Sequence, residues 1–193
     1  MDKHMIDELI LKTRSIRRFR ENEPVSREVL KDLVNLARLS PSAANRQPLK
    51  YLLSNTLEKN AIIFPCLAWA GYLIDWPGPE AGERPSAYIV MLGDRAIVTD
   101  YDADPGIGCQ SIVLGARERG LGACIFGAID RRMLHSVLGL SERFDILYVI
   151  ALGYPAETVV LENLGPDGDI RYWRDENGIH HVPKRSLAEI IVE

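Results

Sequence analysis

The chain has 193 residues, 47% of them apolar, with a formal net charge of −4 and a pI near 5.6. This composition predicts one globular domain with a sizeable core. The acidic balance argues against a surface made for coating nucleic acid but leaves room for a small local anion site. No apolar run approaches the roughly 20 residues that cross a bilayer, and the three cysteines lack the Cys-x-x-Cys spacing of a metal or redox site. We therefore expect a cytoplasmic protein without nucleic-acid or membrane partners.

The first part of the chain predicts two helices, a polar loop and a strand. Apolar residues recur at helical spacing over 2–12 and 26–39, and Ser26 is a plausible N-cap for the second helix. The sequence PSAANRQP, residues 41–48, is a loop of small and polar residues that leads into a predicted strand at 49–54.

The middle of the chain alternates between irregular and regular segments. A short helix is predicted over 58–64, and the mixture of aromatic residues with Gly and Pro over 69–85 predicts an irregular connection or lid. A buried strand follows at 86–92. The small and apolar residues of 104–119 then predict a helix packed closely in the core, ending at Gly120.

The last part contains the most apolar strand and then changes character. Asp130 is a plausible cap for a short helix, and 144–155 reads as a buried strand. Beyond it we divide the chain into a core, 1–155, and a polar C-terminal arm of the same domain, 156–193. The arm holds a predicted tight turn at 177–178 and ends in an apolar strand, which is typical of a segment that docks on another surface such as a second subunit.

A basic stretch, TRSIRRFR at residues 13–20, places four arginines between the first two helices. Taken alone, such a run is more often a solvated face. However, Arg14 and Arg17 are three positions apart with Ser15 between them, so a turn here could direct two guanidinium groups, a hydroxyl and free N–H groups at one dianion. A small-molecule phosphate fits this set better than nucleic acid does.

The loop PSAANRQP carries the second candidate group of ligand-binding residues. Its simplest interpretation is a helix stop followed by a polar turn. Ser42, Asn45 and Gln47 nevertheless offer hydroxyl and amide groups that can bind a ligand presenting both donors and acceptors, such as the pyrimidine edge of an isoalloxazine. No complete dinucleotide fingerprint or P-loop occurs, and the glycines of GLGAC are as easily explained by a helix stop and a tight entry into a strand.

Five segments in a fixed order, RSIRRF, PSAANRQP, RGLGACIFGAID, LGYPAE and KRSLAEII, resemble the FMN-dependent nitroreductase family over almost the whole chain. The resemblance implies an α+β fold, a mixed α/β sandwich whose central sheet is flanked by helices. It further implies an intertwined homodimer with FMN at the interface and with the C-terminal arm embracing the partner subunit.

The resemblance also implies which residues bind the cofactor. Those assigned to the FMN phosphate and ribityl chain are Arg14, Ser15 and Arg17, joined by Lys184 and Arg185 from the arm, either of which could be the ligand. Those assigned to the ring and ribityl oxygens are Ser42, Asn45 and, as a weaker choice, Gln47, with Phe126 and Gly127 lying along the isoalloxazine. Thr13 stands where many relatives have another arginine, so one phosphate contact is lost or replaced.

The implied activity is transfer of a hydride from NADH or NADPH to FMN, followed by electron transfer to a nitroaromatic, quinone or similar acceptor in a ping-pong cycle. No catalytic side chain is assigned, and the histidines, with His180 and His181 on a solvated hairpin, do not make a metal site. Trp69, Tyr72 and Trp76 either line the pocket or are core or interface aromatics. Reductive dehalogenation, flavin fragmentation and a non-enzymatic flavin-binding module remain alternatives.

Overall fold

The computed structural model describes residues 5–192, and residues 2–4 of the first predicted helix lie outside this range. The helices are α1 (Met5–Lys12), α2 (Arg27–Leu39), α3 (Leu57–Ile63), α4 (Asp104–Glu118), α5 (Arg131–Val137) and α6 (Leu187–Ile190). The strands are β1 (Leu49–Ser54), β2 (Ala87–Asp94), β3 (Gly122–Phe126), β4 (Phe144–Gly153), β5 (Val159–Asn163), β6 (Trp173–Arg174) and β7 (His180–Lys184). Short 3₁₀ turns occupy Ala43–Asn45 and Phe64–Cys66.

The core is built on a four-stranded sheet in the order β1-β2-β4-β3, in which all neighbours are antiparallel. Every residue of β2 is buried, because this strand is central and both faces of the sheet are covered. One face packs against α2 and α4, and the other packs against α3, α5 and the segment that contains Trp69. This arrangement confirms the expected sandwich with a central sheet flanked by helices.

The C-terminal arm forms a separate three-stranded sheet in the order β5-β7-β6. Strand β7 pairs in parallel with β5 and antiparallel with β6, and Gly178 makes the tight turn between β6 and β7 with a φ of 77°. The prediction of an apolar terminal strand was wrong, since a Ser186 capping box starts the helical turn α6 instead. The apolar side chains of this end, Leu187, Ile190, Ile191 and Val192, are each at least half exposed.

The other elements follow the sequence closely. Ser26 caps α2 through a hydrogen bond from the Val29 N–H, and Asp130 caps α5 in the same way from Met133. Residues 69–85 contain no helix or strand, as their composition predicted. All three cysteines are buried and free. Within residues 5–192, no helix combines the length and apolar character that a membrane span requires.

Candidate functional site

The basic stretch runs in an extended conformation along the edge of the core sheet. After α1, Ser15 lies opposite Ala123 on β3, and the Ile16 N–H donates to the Ala123 carbonyl at 2.9 Å. Phe19 lies opposite Pro155, just beyond the end of β4. The stretch is therefore held at both ends by the backbone of the core, and its side chains take defined directions.

Two of its four guanidinium groups are neutralised by neighbouring carboxylates. Arg18 forms a two-pronged ion pair with Glu83, with hydrogen bonds of 2.6 and 2.5 Å. The hydrogen bonds to Glu83 raise the pKa of Arg18 above its ordinary value. Arg20 pairs with Glu23 at 2.7 Å, where both side chains are largely in solvent. These two arginines have partners and do not require an external anion.

Arg14 is in a different position because no carboxylate pairs with it among residues 5–192. Its Nη2 donates to the Ile10 carbonyl at 2.6 Å, while its buried Nε has no hydrogen-bond partner. Partial burial lowers the pKa of this guanidinium. Next to it, Ser15 is exposed. A half-buried cation with an unused donor, beside an exposed serine, is a suitable arrangement for an anion.

Arg17 also lacks a carboxylate partner for its guanidinium within the described chain, but it is turned toward the arm. Its Nη1 lies 3.1 Å from His180 Nε2, and its guanidinium lies 4.6 Å from the centre of the Tyr172 ring. Because arginine only donates, the His180 Nε2 must accept, and the proton of the neutral ring sits on Nδ1. Burial, followed by the charges of Arg17 and Arg174, lowers the pKa of His180 to about 4.

The loop before β1 is held in a strained shape by one buried carboxylate. Asp104, at the start of α4, accepts hydrogen bonds from the Ser42 hydroxyl at 2.6 Å and from the Ala43 N–H at 2.8 Å. The Ser42 Oγ in turn accepts from the Gln47 N–H at 2.9 Å. Three residues of the loop, Ala44, Asn45 and Gln47, have φ values of 48°, 55° and 53°. Such backbone strain persists only where the surroundings impose it, and it is concentrated at functional sites.

A cavity of about 360 Å³ opens beside this loop, between α2, β1 and the first turn of α4. Ser42, Gln47, Tyr51 and Asp104 contribute polar atoms to its wall, and Val34 and Leu49 contribute apolar ones. Burial raises the pKa of Tyr51 well above its ordinary value, so its hydroxyl stays protonated. The wall of the cavity thus combines apolar side chains with groups that donate and accept hydrogen bonds.

Within one chain, the loop and the basic stretch lie at opposite corners of the core sheet. The loop leads into Leu49 on β1, which pairs with Gly93 on β2, and Gly93 pairs with Asp145 near the start of β4. Ser15 pairs with Ala123 on β3, and Ala123 pairs with Leu152 near the end of β4. Seven residues along the strands, roughly 23 Å, and four strand spacings, roughly 19 Å, separate these corners, which corresponds to roughly 30 Å. Helix α4, roughly 22 Å long, spans most of this distance.

The sequence of this chain matches the profile of the nitroreductase family over residues 10–70 and 98–154. The chain belongs to the nitroreductase family. A candidate NADH dehydrogenase/NAD(P)H nitroreductase from Archaeoglobus fulgidus is 28% identical over 157 residues, which cover 77% of this chain and 84% of the relative.

Solved structures of this family have the same fold. A candidate nitroreductase from Desulfovibrio desulfuricans, crystallised with FMN, superposes with a TM-score of 0.72 at 24% identity, covering 98% of this chain and 96% of its own. An FMN-dependent nitroreductase from Clostridium difficile R20291 gives 0.66 at 22% identity, covering 88% and 98%. The first of these alignments spans nearly the whole of this chain.

In this nitroreductase fold, the end of β3 exposes main-chain atoms at its surface, while the ring of Phe126 is buried. The Phe126 side chain is 4% exposed and packs edge-on against Trp69, with ring centres 4.7 Å apart. Gly127 is exposed and lies near Tyr148. Any contribution of Phe126 to a bound ring would therefore come from its backbone, while Gly127 leaves space for close approach.

Lys184 and Arg185 lie at the exposed end of β7 and do not join the basic stretch. No hydrogen bond or ion pair links either side chain to residues 13–20 in the described chain, and Arg185 instead lies 3.4 Å from Glu189. Four residues of β7, roughly 13 Å, separate Lys184 from His180, where the arm contacts Arg17.

The aromatic residues of the 69–85 segment divide between the two interpretations left open by the sequence. Trp69 is 8% exposed and packs against Phe126 and Trp76, so it belongs to the core. Trp76 is half-buried beneath the guanidinium of Arg174, which lies 4.7 Å from its ring centre. Tyr72 is 48% exposed and contacts Tyr172. Of the three, Tyr72 remains available to line a pocket.

The histidines of the arm correct one expectation. His180 and His181 do point to opposite sides of a β-hairpin, but the hairpin is not solvated at His180, whose side chain is fully buried. His181 is stacked on Trp173 and hydrogen-bonded to Glu162. His4 lies outside the described residues. Within 5–192, no group of three His, Cys, Asp or Glu side chains is placed to hold a metal ion.

Sequence reasoning missed the residues that hold the candidate site in shape, namely Asp104, Glu157, Arg174 and His180. Asp104 could have been found from its position as the acidic first residue of a predicted helix. Glu157, Arg174 and His180 lie in a polar arm whose residues carry no periodic signal, and their burial follows only from how the arm folds back on the core.

Proposed function

We propose that this chain is an FMN-dependent NAD(P)H oxidoreductase that reduces small aromatic or quinone-like acceptors, and that it works as a homodimer. The observation that carries the proposal is the pair Arg14 and Arg17, whose guanidinium groups have no carboxylate partner in the described chain and flank the exposed Ser15. Family membership and the names of the relatives support the same activity.

The residues around β3 fit the phosphate end of FMN. Arg14 has a buried Nε without a partner, and the Ser15 hydroxyl lies next to it at the edge of the sheet. Gly127 is four residues, roughly 13 Å, along β3 from the point where Ser15 meets Ala123. A ribityl phosphate laid along this strand would place its ring beside the exposed Gly127.

The ring end of the site requires a second copy of the chain. The loop of Ser42, Asn45 and Gln47 is too far from Ser15, at roughly 30 Å, for one FMN to contact both groups within a subunit. We propose that the partner supplies this loop and that the arm, residues 156–193, embraces the partner. The exposed apolar end beyond Lys184 and Arg185 supports this role, because an isolated subunit would leave it in water. Docking of this end would also bring Lys184 or Arg185 to a phosphate.

The chain itself supplies binding and shape, and we assign no catalytic side chain. Bound FMN would supply hydride acceptance from NADH or NADPH and electron donation to the acceptor. The exposed backbone at Gly127 and the donors of the Ser42–Gln47 loop would hold the ring and its oxygens in place. Donor and acceptor would occupy the same face in turn, so initial-rate plots for one substrate at several concentrations of the other should be parallel.

The test is to load the purified protein with FMN, FAD or riboflavin and then add NADH or NADPH without oxygen. We expect FMN to bind in preference to the other flavins, and its yellow colour to bleach rapidly with a nicotinamide and to return with a nitroaromatic or quinone. Bleaching by dithionite alone would favour dehalogenation or other flavin chemistry on this scaffold. A protein that binds no flavin would contradict the proposal and favour a non-enzymatic module.

A further inference from the structure

Glu157 has an unusual position for a charged residue, because its side chain is only 1% exposed. It lies four residues after the end of β4, at the point where the core ends and the arm begins. A buried carboxylate is costly unless its oxygens are hydrogen-bonded and its charge is paired. Both of its oxygens have partners, and these partners come from two different parts of the chain.

One oxygen of Glu157 accepts hydrogen bonds from main-chain N–H groups of the basic stretch. Other N–H groups of this stretch donate to main-chain carbonyls: Ile16 to Ala123, Phe19 to Glu83, and Arg20 to Tyr154. The N–H groups of Arg17 and Arg18 have no backbone acceptor. Both donate to Glu157 Oε1, the second of them at 3.2 Å. The carboxylate therefore completes the hydrogen bonding of the stretch two residues after Ser15.

The other oxygen holds the arm. Arg174, on β6, donates from Nη2 to Glu157 Oε2 at 3.0 Å, and its own side chain is 15% exposed. The same guanidinium stacks over Trp76 of the irregular 69–85 segment. Close by, Arg17 contacts His180 and Tyr172 of the arm. One buried carboxylate thus fixes the basic stretch and the arm in a single arrangement.

We infer that Glu157 is a positioning residue for the phosphate end of the cofactor site, acting through the Arg17 and Arg18 backbone to present Arg14 and Ser15 while it holds the arm through Arg174. The inference rests on the proposed function, since the ligand it positions is FMN. A preorganised stretch binds an anion without first losing its conformational freedom. Glu157 itself does not touch the ligand, because both of its oxygens are used within the protein.

Substitution of Glu157→Gln separates the two halves of this role. The amide oxygen can still accept from the Arg17 and Arg18 N–H groups, but the NH₂ group would face the Arg174 guanidinium, donor against donor. Arg174 and β6 should then be displaced. The double variant Glu157→Gln with Arg174→Met removes this conflict while it keeps the amide acceptor, so it should recover part of what the single variant loses.

The experiment measures FMN affinity by quenching of flavin fluorescence, together with the rate of hydrogen exchange in residues 171–184, well below the melting temperature of each variant. Glu83→Gln is the matched control. The Glu83 carboxylate pairs with the Arg18 side chain, whereas the acceptor for the Phe19 N–H is the main-chain carbonyl of Glu83, which the substitution leaves in place. We expect Glu157→Gln to weaken FMN binding by about tenfold or more and to speed exchange in the arm. The control should change FMN affinity by less than about threefold.

Partial recovery of FMN affinity and arm protection in the double variant would support the inference. It would be overturned if Glu157→Gln bound FMN as tightly as the unaltered protein, or if Glu83→Gln weakened binding equally. It would also be overturned if the double variant were weaker than the single one. Failure of the unaltered protein to bind FMN would instead contradict the proposed function, so the two failures are distinguishable.

Discussion

Arg14 and Arg17 are chemically identical and three positions apart, yet the fold uses their side chains differently. Arg14 keeps an unused donor at the edge of β3, whereas Arg17 is bound to His180 and covered by Tyr172 of the arm. The spacing of the two arginines predicted a shared anion site. It could not show that one of them would be engaged by a segment more than 150 residues further along the chain.

We expect Arg14→Gln to weaken FMN binding by about 1.5 to 3 kcal/mol, the usual contribution of a hydrogen bond to a charged group. Arg20→Gln is the matched control, because Arg20 belongs to the same stretch but is paired with Glu23 in solvent. Isothermal titration of each variant with FMN measures the difference. Equal affinities for the two variants would remove Arg14 from the site.

The buried His180 should make folding sensitive to pH. Its pKa is lowered from 6.5 to about 4, so between these values the unfolded chain binds a proton that the folded chain does not. Stability should therefore be intact above pH 6.5 and fall as the pH decreases toward 4, by up to about 3 kcal/mol from this residue. Urea unfolding at pH 7 and pH 4.5 measures this loss.

A His180→Gln variant should have lower stability at pH 7 but a smaller loss on acidification. The matched control is His135→Gln, the same substitution at a partly buried histidine of α5, outside the arm. If the His180→Gln variant and the unaltered protein lost the same stability between the two pH values, the buried neutral state of His180 would be refuted.

At the scale of elements, two glycines paired across β3 and β4 make room for the basic stretch. Gly122 lies opposite Gly153 in the sheet. A Cβ at Gly122 would lie 2.8 Å from Ile16 Cβ, and one at Gly153 would lie 3.0 Å from the Phe19 ring. The stretch can therefore lie flat against the sheet edge only because both positions lack side chains.

Gly122→Ala should destabilise the protein by about 1 to 3 kcal/mol, because the Cβ of a β-branched neighbour cannot rotate away. It should also weaken FMN binding by displacing Ser15. Gly106→Ala in the first turn of α4 is the control, since its added Cβ meets nothing within 4 Å. Thermal unfolding should show a lower melting temperature for Gly122→Ala alone; equal melting temperatures would refute the close approach.

The core elements could be predicted from the sequence because their signals are local. Ser26 and Asp130 cap helices, and the apolar runs of β2 and β4 require burial on both faces. Local signals explained only part of the GLGAC segment. Gly120 ends a helix with a φ of 75°, as predicted, but Gly122 lacks a side chain because Ile16, from a distant segment, packs directly against it. The arm was least predictable, because its polar residues are ordered by contacts with the core and not by periodicity.

At the scale of the whole molecule, one subunit contains two separated halves of the candidate site. The sequence named the residues of both halves, but their placement depends on sheet order, which no local pattern encodes. The structure puts Ser15 and the Ser42–Gln47 loop at opposite corners, roughly 30 Å apart. A single FMN can use both groups only across an interface between subunits, and this composite site is the central claim.

The most direct test is complementation between two defective chains. Arg14→Glu in one chain and Ser42→Ala with Asn45→Ala in the other should each abolish FMN binding in homodimers. Coexpression with two different tags allows the mixed dimer to be isolated, and its FMN content is then measured. A site shared between subunits predicts one bound FMN per mixed dimer, because one of its two sites combines both intact halves. A mixed dimer without FMN would contradict the shared site.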